Sequence, residues 1–333
     1  MNSDFINKVL PDFGNVRILI VGDIMLDVYY FGTANRMSPE FPVPVVNLES
    51  KEYNLGGGAN VAANIKSLGA EVHVCSVIGN DVPAKKIRSL FENAGLDFSE
   101  IILSDDRKTT VKNRIISNNK QLLRIDDEDD FYLSEKEAEL FSSVVERKIK
   151  ELLPQVIILQ DYNKGVLSRE IIGKIIEIAV EKKIKICVDP KKKNFDVYDN
   201  AYIFKPNLKE FCEYYSISKA SNAELLLLMQ KFQQEHNISL FLLTMADKGI
   251  MISEKDGTNF YFPAHIRQIA DVSGAGDTVI SVASLLSAVD ADIENIAYIS
   301  NVAGGLACEK SGISTITVDE LNKELLKCKS EKQ

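Results

Sequence analysis

Short apolar runs alternating with amphipathic helices predict an α/β fold: a three-layer sandwich with a central, mostly parallel sheet and a small β-sheet lid. Two observations carry the sheet. RILIVG (17–22), HVCSVIG (73–79), QVIILQ (155–160), KICVD (185–189), AYIF (201–204) and LFLLT (240–244) are short and apolar, as strands buried on both faces are. The segments between them carry helical periodicity, and crossovers of that length join parallel strands with a right hand. A third observation adds the lid. PVPVVNLESKEYNL (42–55) and TTVKNRIISNNKQLLRID (109–126) have β-type composition with no helix after them.

The elements follow in order. GDIMLD, Gly22 to Asp27, closes the first strand and sets Asp23 and Asp27 at its carboxyl end. Gly58 to Leu68 places Val61, Ala62, Ile65 and Leu68 on one stripe, and Gly69 can end that helix. Pro83 opens a second helix at its first position, with Ile87, Leu90, Phe91 and Ala94 inward and Gly95 as the stop. Ser134 and Glu137 form a capping box for a third, and Ser168 caps a fourth. The second β-type stretch reads as a hairpin turning near Ser117–Lys120. We read about 31–55 and 109–126 as a small antiparallel sheet standing off the main one, although two ordinary surface hairpins have the same composition. The whole of 1–333 reads as a single domain that includes this lid, and KCKSEKQ at the end reads as a frayed polar tail.

Composition excludes several classes. A net charge of −9 gives no basic face for nucleic acid. No run is long and apolar enough for a membrane span, and the first residues lack the apolar core of a signal peptide. Cys75, Cys187, Cys212, Cys308 and Cys328 show no CxxC spacing, and His73, His236 and His265 are isolated, so no zinc constellation is expected. A reducing, cytoplasmic setting follows as the default. There is no GxxxxGK[ST], no GxSxG, no protein-kinase HRD or DFG set, and no GxGxxG after the first strand.

Four motifs carry chemistry. DVSGAGDT, Asp271 to Thr278, runs into an apolar helix. Gly274, Ala275 and Gly276 present backbone N–H groups at a helix start, which is an anion nest. A carboxylate beside such a nest is electrostatically odd unless it handles a proton, so Asp277 is the candidate general base. A capping Asp after a tight turn is the plainer alternative. Gly56, Gly57 and Gly58 allow close backbone approach, and Asn60 offers donors and acceptors to a polyol; a flexible helix-capping loop would look the same. Asp27 can accept two sugar hydroxyls, or serve as a turn residue. Finally, Asp161 with Lys164, Asp189 with Lys191, Asn207 with Glu210, and Thr244 with Gly249 all follow expected strands, so they share one edge of a parallel sheet. Lys164 and Lys191 to Lys193, with Arg36, Arg114 and Arg124 near the lid, can gather around phosphate groups, although Lys192 and Lys193 read better as a solvated loop.

GDIMLD, GGGAN, PNLKE and DVSGAGDT, in this order along the chain, resemble the signature of the ribokinase (PfkB) family of carbohydrate kinases over nearly the whole chain. More narrowly, GDIMLDVYYFGTANRMSPEFPVPVV, DYNKGVLS, VDPKKKNF and KPNLKEF resemble the kinase domain of D-glycero-D-manno-heptose 7-phosphate kinases, whose product feeds bacterial lipopolysaccharide. The resemblance implies a ribokinase-like fold, ATP and Mg²⁺, and a homodimer formed through the lid. It implies Asp277 as base, Gly274 to Gly276 as anion hole, and Asp27, Gly57 and Asn60 as sugar contacts. It implies Asn207 and Glu210 near Mg²⁺ and the nucleotide phosphates, Thr244 and Gly249 in a nucleotide-binding turn, and Asn301 at the adenine. Lys164, Lys191 and Arg36 fall in strings particular to the heptose branch and are expected at the 7-phosphate. Ser273 stands where threonine is usual, and Gly58 where many sugar kinases carry lysine. Many such relatives continue into a nucleotidyltransferase domain, whose HxGH-type motif is absent here, so a separate protein is expected to perform that step.

Overall fold

The apolar runs become the centre of a nine-stranded sheet in the computed structural model, which describes residues 13–118, 120–264, 271–310 and 312–330. Its strands are β1 (Arg17–Gly22), β4 (Glu71–Gly79), β5 (Ile101–Ser104), β8 (Val156–Gln160), β9 (Lys185–Asp189), β10 (Ile203–Phe204), β11 (Leu240–Thr244), β12 (Ile250–Glu254) and β13 (Asn259–Phe262). They lie in the order β13-β12-β11-β10-β9-β8-β1-β4-β5. Pairing is parallel from β5 to β11, and β12 and β13 turn back antiparallel.

Side-chain alternation sorts the core into two layers. Ile18 and Ile20 of β1 pack with α1 (Gly58–Ser67), α2 (Val82–Asn93), α7 (Ala275–Ala288), α8 (Ile293–Glu309) and α9 (Val318–Ser330). Leu19 and Val21 pack on the other face with α3 (Glu135–Leu152), α4 (Arg169–Lys182), Phe211 of α5 (Leu208–Tyr214) and α6 (Asn222–His236). The helix ends are built from local signals. Ser134 and Glu137 make both bonds of a capping box, and Ser168 accepts from the Ile171 amide. Asp81 caps α2 by accepting from Ala84 N at 2.9 Å, which moves Pro83 to the second helical position. The expected polar tail is corrected as well: KCKS continues α9, because Leu321, Leu325 and Cys328 recur on one stripe and are buried. His265 lies outside the described residues.

A second, four-stranded sheet forms the lid: β2 (Ile24–Met37), β3 (Pro44–Gly57), β6 (Val111–Ser117) and β7 (Lys120–Asp127), in the order β3-β2-β6-β7. Two expectations are corrected here. β2 begins at Ile24, so Asp27 sits inside the lid sheet rather than at the carboxyl end of the first strand. The sheet is mixed, because β2 and β6 pair in parallel while the flanking pairs are antiparallel. The reason is connectivity: α1, β4, α2 and β5 intervene between β3 and β6, so the chain re-enters the lid from the same end.

Candidate active site

The carboxyl ends of β8, β9, β10 and β11 open towards the N-terminus of α7, where Gly274 has φ 82° and caps the helix. The first N–H groups of any helix lack partners within it, and the macrodipole adds positive potential there. Asp277 stands in this first turn and is 4 % exposed. Its Oδ2 accepts from Asn60 Nδ2 at 2.8 Å, and its Oδ1 from Gln160 Nε2 at 3.1 Å and the Tyr162 hydroxyl at 2.8 Å. Burial, reinforced by the Asp189 carboxylate, pushes its pKa up to about 6, against those hydrogen bonds and the Lys205 ammonium. Lys205 Nζ lies 3.2 Å from Asp189 Oδ1, an ion pair with both side chains almost fully buried. A carboxylate held close to neutral pH beside a helix start is suited to take a proton as an anion is bound.

On the lid side, Asp27 is buried and paired with Arg114 across β2 and β6. Gly56 lies against the Asp27 carboxylate, and a Cβ there would run into Oδ2. Gly57, at φ 59°, precedes α1 and so delivers Asn60 to Asp277. Lys112, next to Arg114 on β6, lies 4.8 Å from the centre of the Tyr162 ring, and Lys191 lies 5.1 Å from the same ring. Burial pulls the Lys112 pKa down, with Asp27 opposing. Lys191 pairs with Glu210; burial opposes its charge, but Asp189 and Glu210 outweigh burial and hold it above its ordinary value. Lys164 binds Glu128 at 2.6 Å.

Two residues that share this edge point elsewhere. The Asp161 carboxylate accepts from the Tyr198 hydroxyl at 2.7 Å, Asn194 Nδ2 at 3.0 Å and the Asn163 amide at 2.8 Å. It is wholly buried and spent inside the chain, and burial followed by the charge of Asp23 raises its pKa to about 6. Arg36 lies exposed near the end of β2, opposite Val45. Asp23 is likewise structural: it accepts backbone amides from Tyr162, Lys164 and Val166, fixing the loop after β8.

Beyond α7 a cleft of about 960 Å³ is lined by Asn207, Thr244, Gly249, Gly276 and Asn301 among others. Asn207 and Glu210 cap α5 reciprocally, Asn207 bridges to Thr244, and Asn301 donates to the Pro263 carbonyl at 2.7 Å. The size, the apolar walls at Val279 and Cys308, and the amide-rich end at Ala275 and Gly276 fit a nucleoside triphosphate. Among the described residues no three His, Cys, Asp or Glu side chains converge on one point. Mg²⁺ needs only one or two carboxylates beside phosphate oxygens and water, and Glu210, in the first turn of α5, fits that donor set.

The sequence reasoning passed over Gln160, Tyr162, Lys205 and Lys112. The first two flank Asp161 in the string QDYNK, and the third precedes the PNLKE motif, so adjacency to motif residues was the available signal. Lys112 had none, because only the register of the lid brings it to Tyr162.

Comparison with known proteins agrees with this geometry. The pfkB family of carbohydrate kinases matches residues 16–320. The "Bifunctional protein HldE" of Aliarcobacter butzleri is 36% identical over 305 residues, which is 92% of this chain and 63% of that protein. The chain thus spans somewhat under two thirds of that relative's length. The fold matches phosphofructokinase-2 from Escherichia coli with a TM-score of 0.80 at 17% identity, covering 94% of this chain and 99% of that one. It also matches an Arabidopsis thaliana ribokinase complexed with ribose and ATP, with a TM-score of 0.72 at 15% identity, covering 93% and 98%. The family match over residues 16–320, on a chain with this fold and this helix start, makes it a member of the pfkB family of carbohydrate kinases.

Proposed function

We propose that this kinase transfers the γ-phosphoryl group of ATP to the anomeric hydroxyl of D-glycero-D-manno-heptose 7-phosphate. The observation that carries the chemistry is the placement of the Asp277 carboxylate beside the Gly274–Gly276 turn, between the lid and the cleft. The sugar assignment rests on the heptose-type strings around Asp27 and Lys164 and on the HldE relative.

In this reading ATP lies along the cleft with adenine near Asn301 and Gly249, and its phosphates reach Gly274, Ala275 and Gly276. The sugar sits between Asp27, Gly57, Asn60 and the lid. Lys164 and Lys191 face its phosphate, with Arg36 of the lid as a further candidate. Asp277 accepts the proton of the attacking hydroxyl, and the helix-start amides stabilise charge on the transferred group. Mg²⁺, held by Glu210 and phosphate oxygens, would neutralise phosphate charge. Asp277 must be ionised to work, so activity falls as pH drops through about 6.

The lid also supports a homodimer. Its edges are β3 and β7, and Phe41, Leu48, Leu122, Leu123 and Ile125 are exposed on it, a liability unless covered by a second copy. Among the described residues no helix is long and apolar enough to cross a membrane, and we place the reaction in the cytoplasm, where ATP is available.

The test is ATP consumption against a panel of sugars and sugar phosphates, with Asp277→Asn beside the wild type. Turnover on the heptose 7-phosphate is expected, with kcat lowered roughly 10²–10⁴-fold in the variant and nucleotide binding retained. Turnover confined to another sugar would sink the heptose assignment, and full activity in Asp277→Asn would sink the base.

A further inference from the structure

The two oxygens of Asp277 are not equivalent. Among the described residues, Oδ1 accepts twice, from Gln160 and from the Tyr162 hydroxyl, while Oδ2 accepts from Asn60 alone. A carboxylate oxygen accommodates about two donors, so Oδ1 is full and Oδ2 keeps one place for an incoming hydroxyl. Gln160 cannot turn over to release Oδ1: its Nε2 also donates to Asp189 Oδ2 at 3.0 Å, and a flipped amide would aim its oxygen at two carboxylates. Tyr162 is held just as closely. Its backbone amide donates to Asp23 at 2.7 Å, and Lys112 from the lid and Lys191 from the loop after β9 both contact its ring.

We propose that Tyr162 is a positioning residue for the phosphoryl-transfer reaction, whose hydroxyl locks Oδ1 of Asp277 so that Oδ2 alone meets the acceptor hydroxyl. Because Lys112 rides on β6 and rests on the Tyr162 ring, the same contact ties the lid to the base. This inference rests on Asp277 being the base. Among the described residues, the titratable and charged groups facing Asp277 are Tyr162 after β8, Asp189 at the end of β9, Lys191 beyond it, and Lys205 after β10, with Asp27 of β2 acting on the Tyr162 hydroxyl. Of these, Tyr162 and Lys205 favour the ionised carboxylate and Asp189 opposes it.

Tyr162→Phe removes the donor and keeps the ring between the lysines. Two measurements on the full chain decide the matter. Carboxyl ¹³C NMR of the ligand-free protein follows the titration of Asp277, with the resonance assigned by its loss in Asp277→Asn. Losing a donor to the ionised form should move that titration upward by about one pH unit. Steady-state kinetics should show the acidic limb of kcat moving up with it, a plateau roughly tenfold lower, and KM for ATP within about twofold of wild type. An Asp277 titration that stays where it is in the wild type overturns the contact. A shifted titration with an unchanged plateau overturns the positioning role. If Asp277→Asn itself keeps full kcat, the base assignment fails instead, and the NMR result stands apart from it.

Discussion

The main sheet and the lid use the same strand geometry to opposite ends. Every residue of β8 is buried, whereas every residue of β7 is exposed. β8 lies between β1 and β9 with helices on both faces, so its loop emerges at a set place and delivers Gln160 and Tyr162 to Asp277. β7 forms an edge, and the lid has no helix layer of its own. The difference separates two tasks. In the proposed mechanism, the groups that position the proton acceptor stand at the end of the buried sheet, and those assigned to the sugar stand on the lid.

Three substitutions bear on that contrast. The largest effect belongs to the buried sheet. Phe204 on β10 is fully buried and packs against Phe195, Phe232 and Phe241, so Phe204→Ala should cost about 3–5 kcal/mol in denaturant unfolding. A loss under about 1 kcal/mol would mean that this layer is far less rigid than its packing implies.

Next is the root of the lid, where Asp27 is buried against Arg114. Asp27→Asn should raise KM for the sugar roughly ten- to hundredfold, the worth of a charged hydrogen bond, with KM for ATP unmoved. Equal changes in both constants would show that lid and cleft are not separate in function.

The smallest effect on stability is expected on the exposed lid face. Leu123 is 55% exposed, so Leu123→Ser should change unfolding by less than about 0.5 kcal/mol. The same change should weaken self-association in sedimentation, because it removes apolar area from the face assigned to the dimer. A dimer of unchanged strength would move the interface elsewhere.

Much of this was legible in the chain itself. Both-face burial made RILIVG and QVIILQ read as parallel strands, and Ser134 with Glu137 marked a helix start, because those signals are local. DVSGAGDT marked a glycine-rich helix start carrying Asp277 for the same reason: all its parts lie within a short stretch of chain. The errors arose where identity at a position says nothing about partners. GDIMLD read as the end of one strand, although the chain only passes Asp23 before starting the lid. Asp161 read as a rim residue, yet Tyr198 and Asn194, more than thirty positions away, close over it.

The parallel strands, the helix caps and the glycine-rich turn before Asp277 were therefore legible in the sequence alone, through periodicity and backbone chemistry spanning a few residues. Only the tertiary structure decided that Asn60, Gln160 and Tyr162 meet on Asp277, across as many as 217 positions of chain. Only it decided that Lys112 reaches the Tyr162 ring. Such contacts depend on register and on the order in which strands pack, and burial then raises the pKa of a carboxylate that in an open chain would be an ordinary acid.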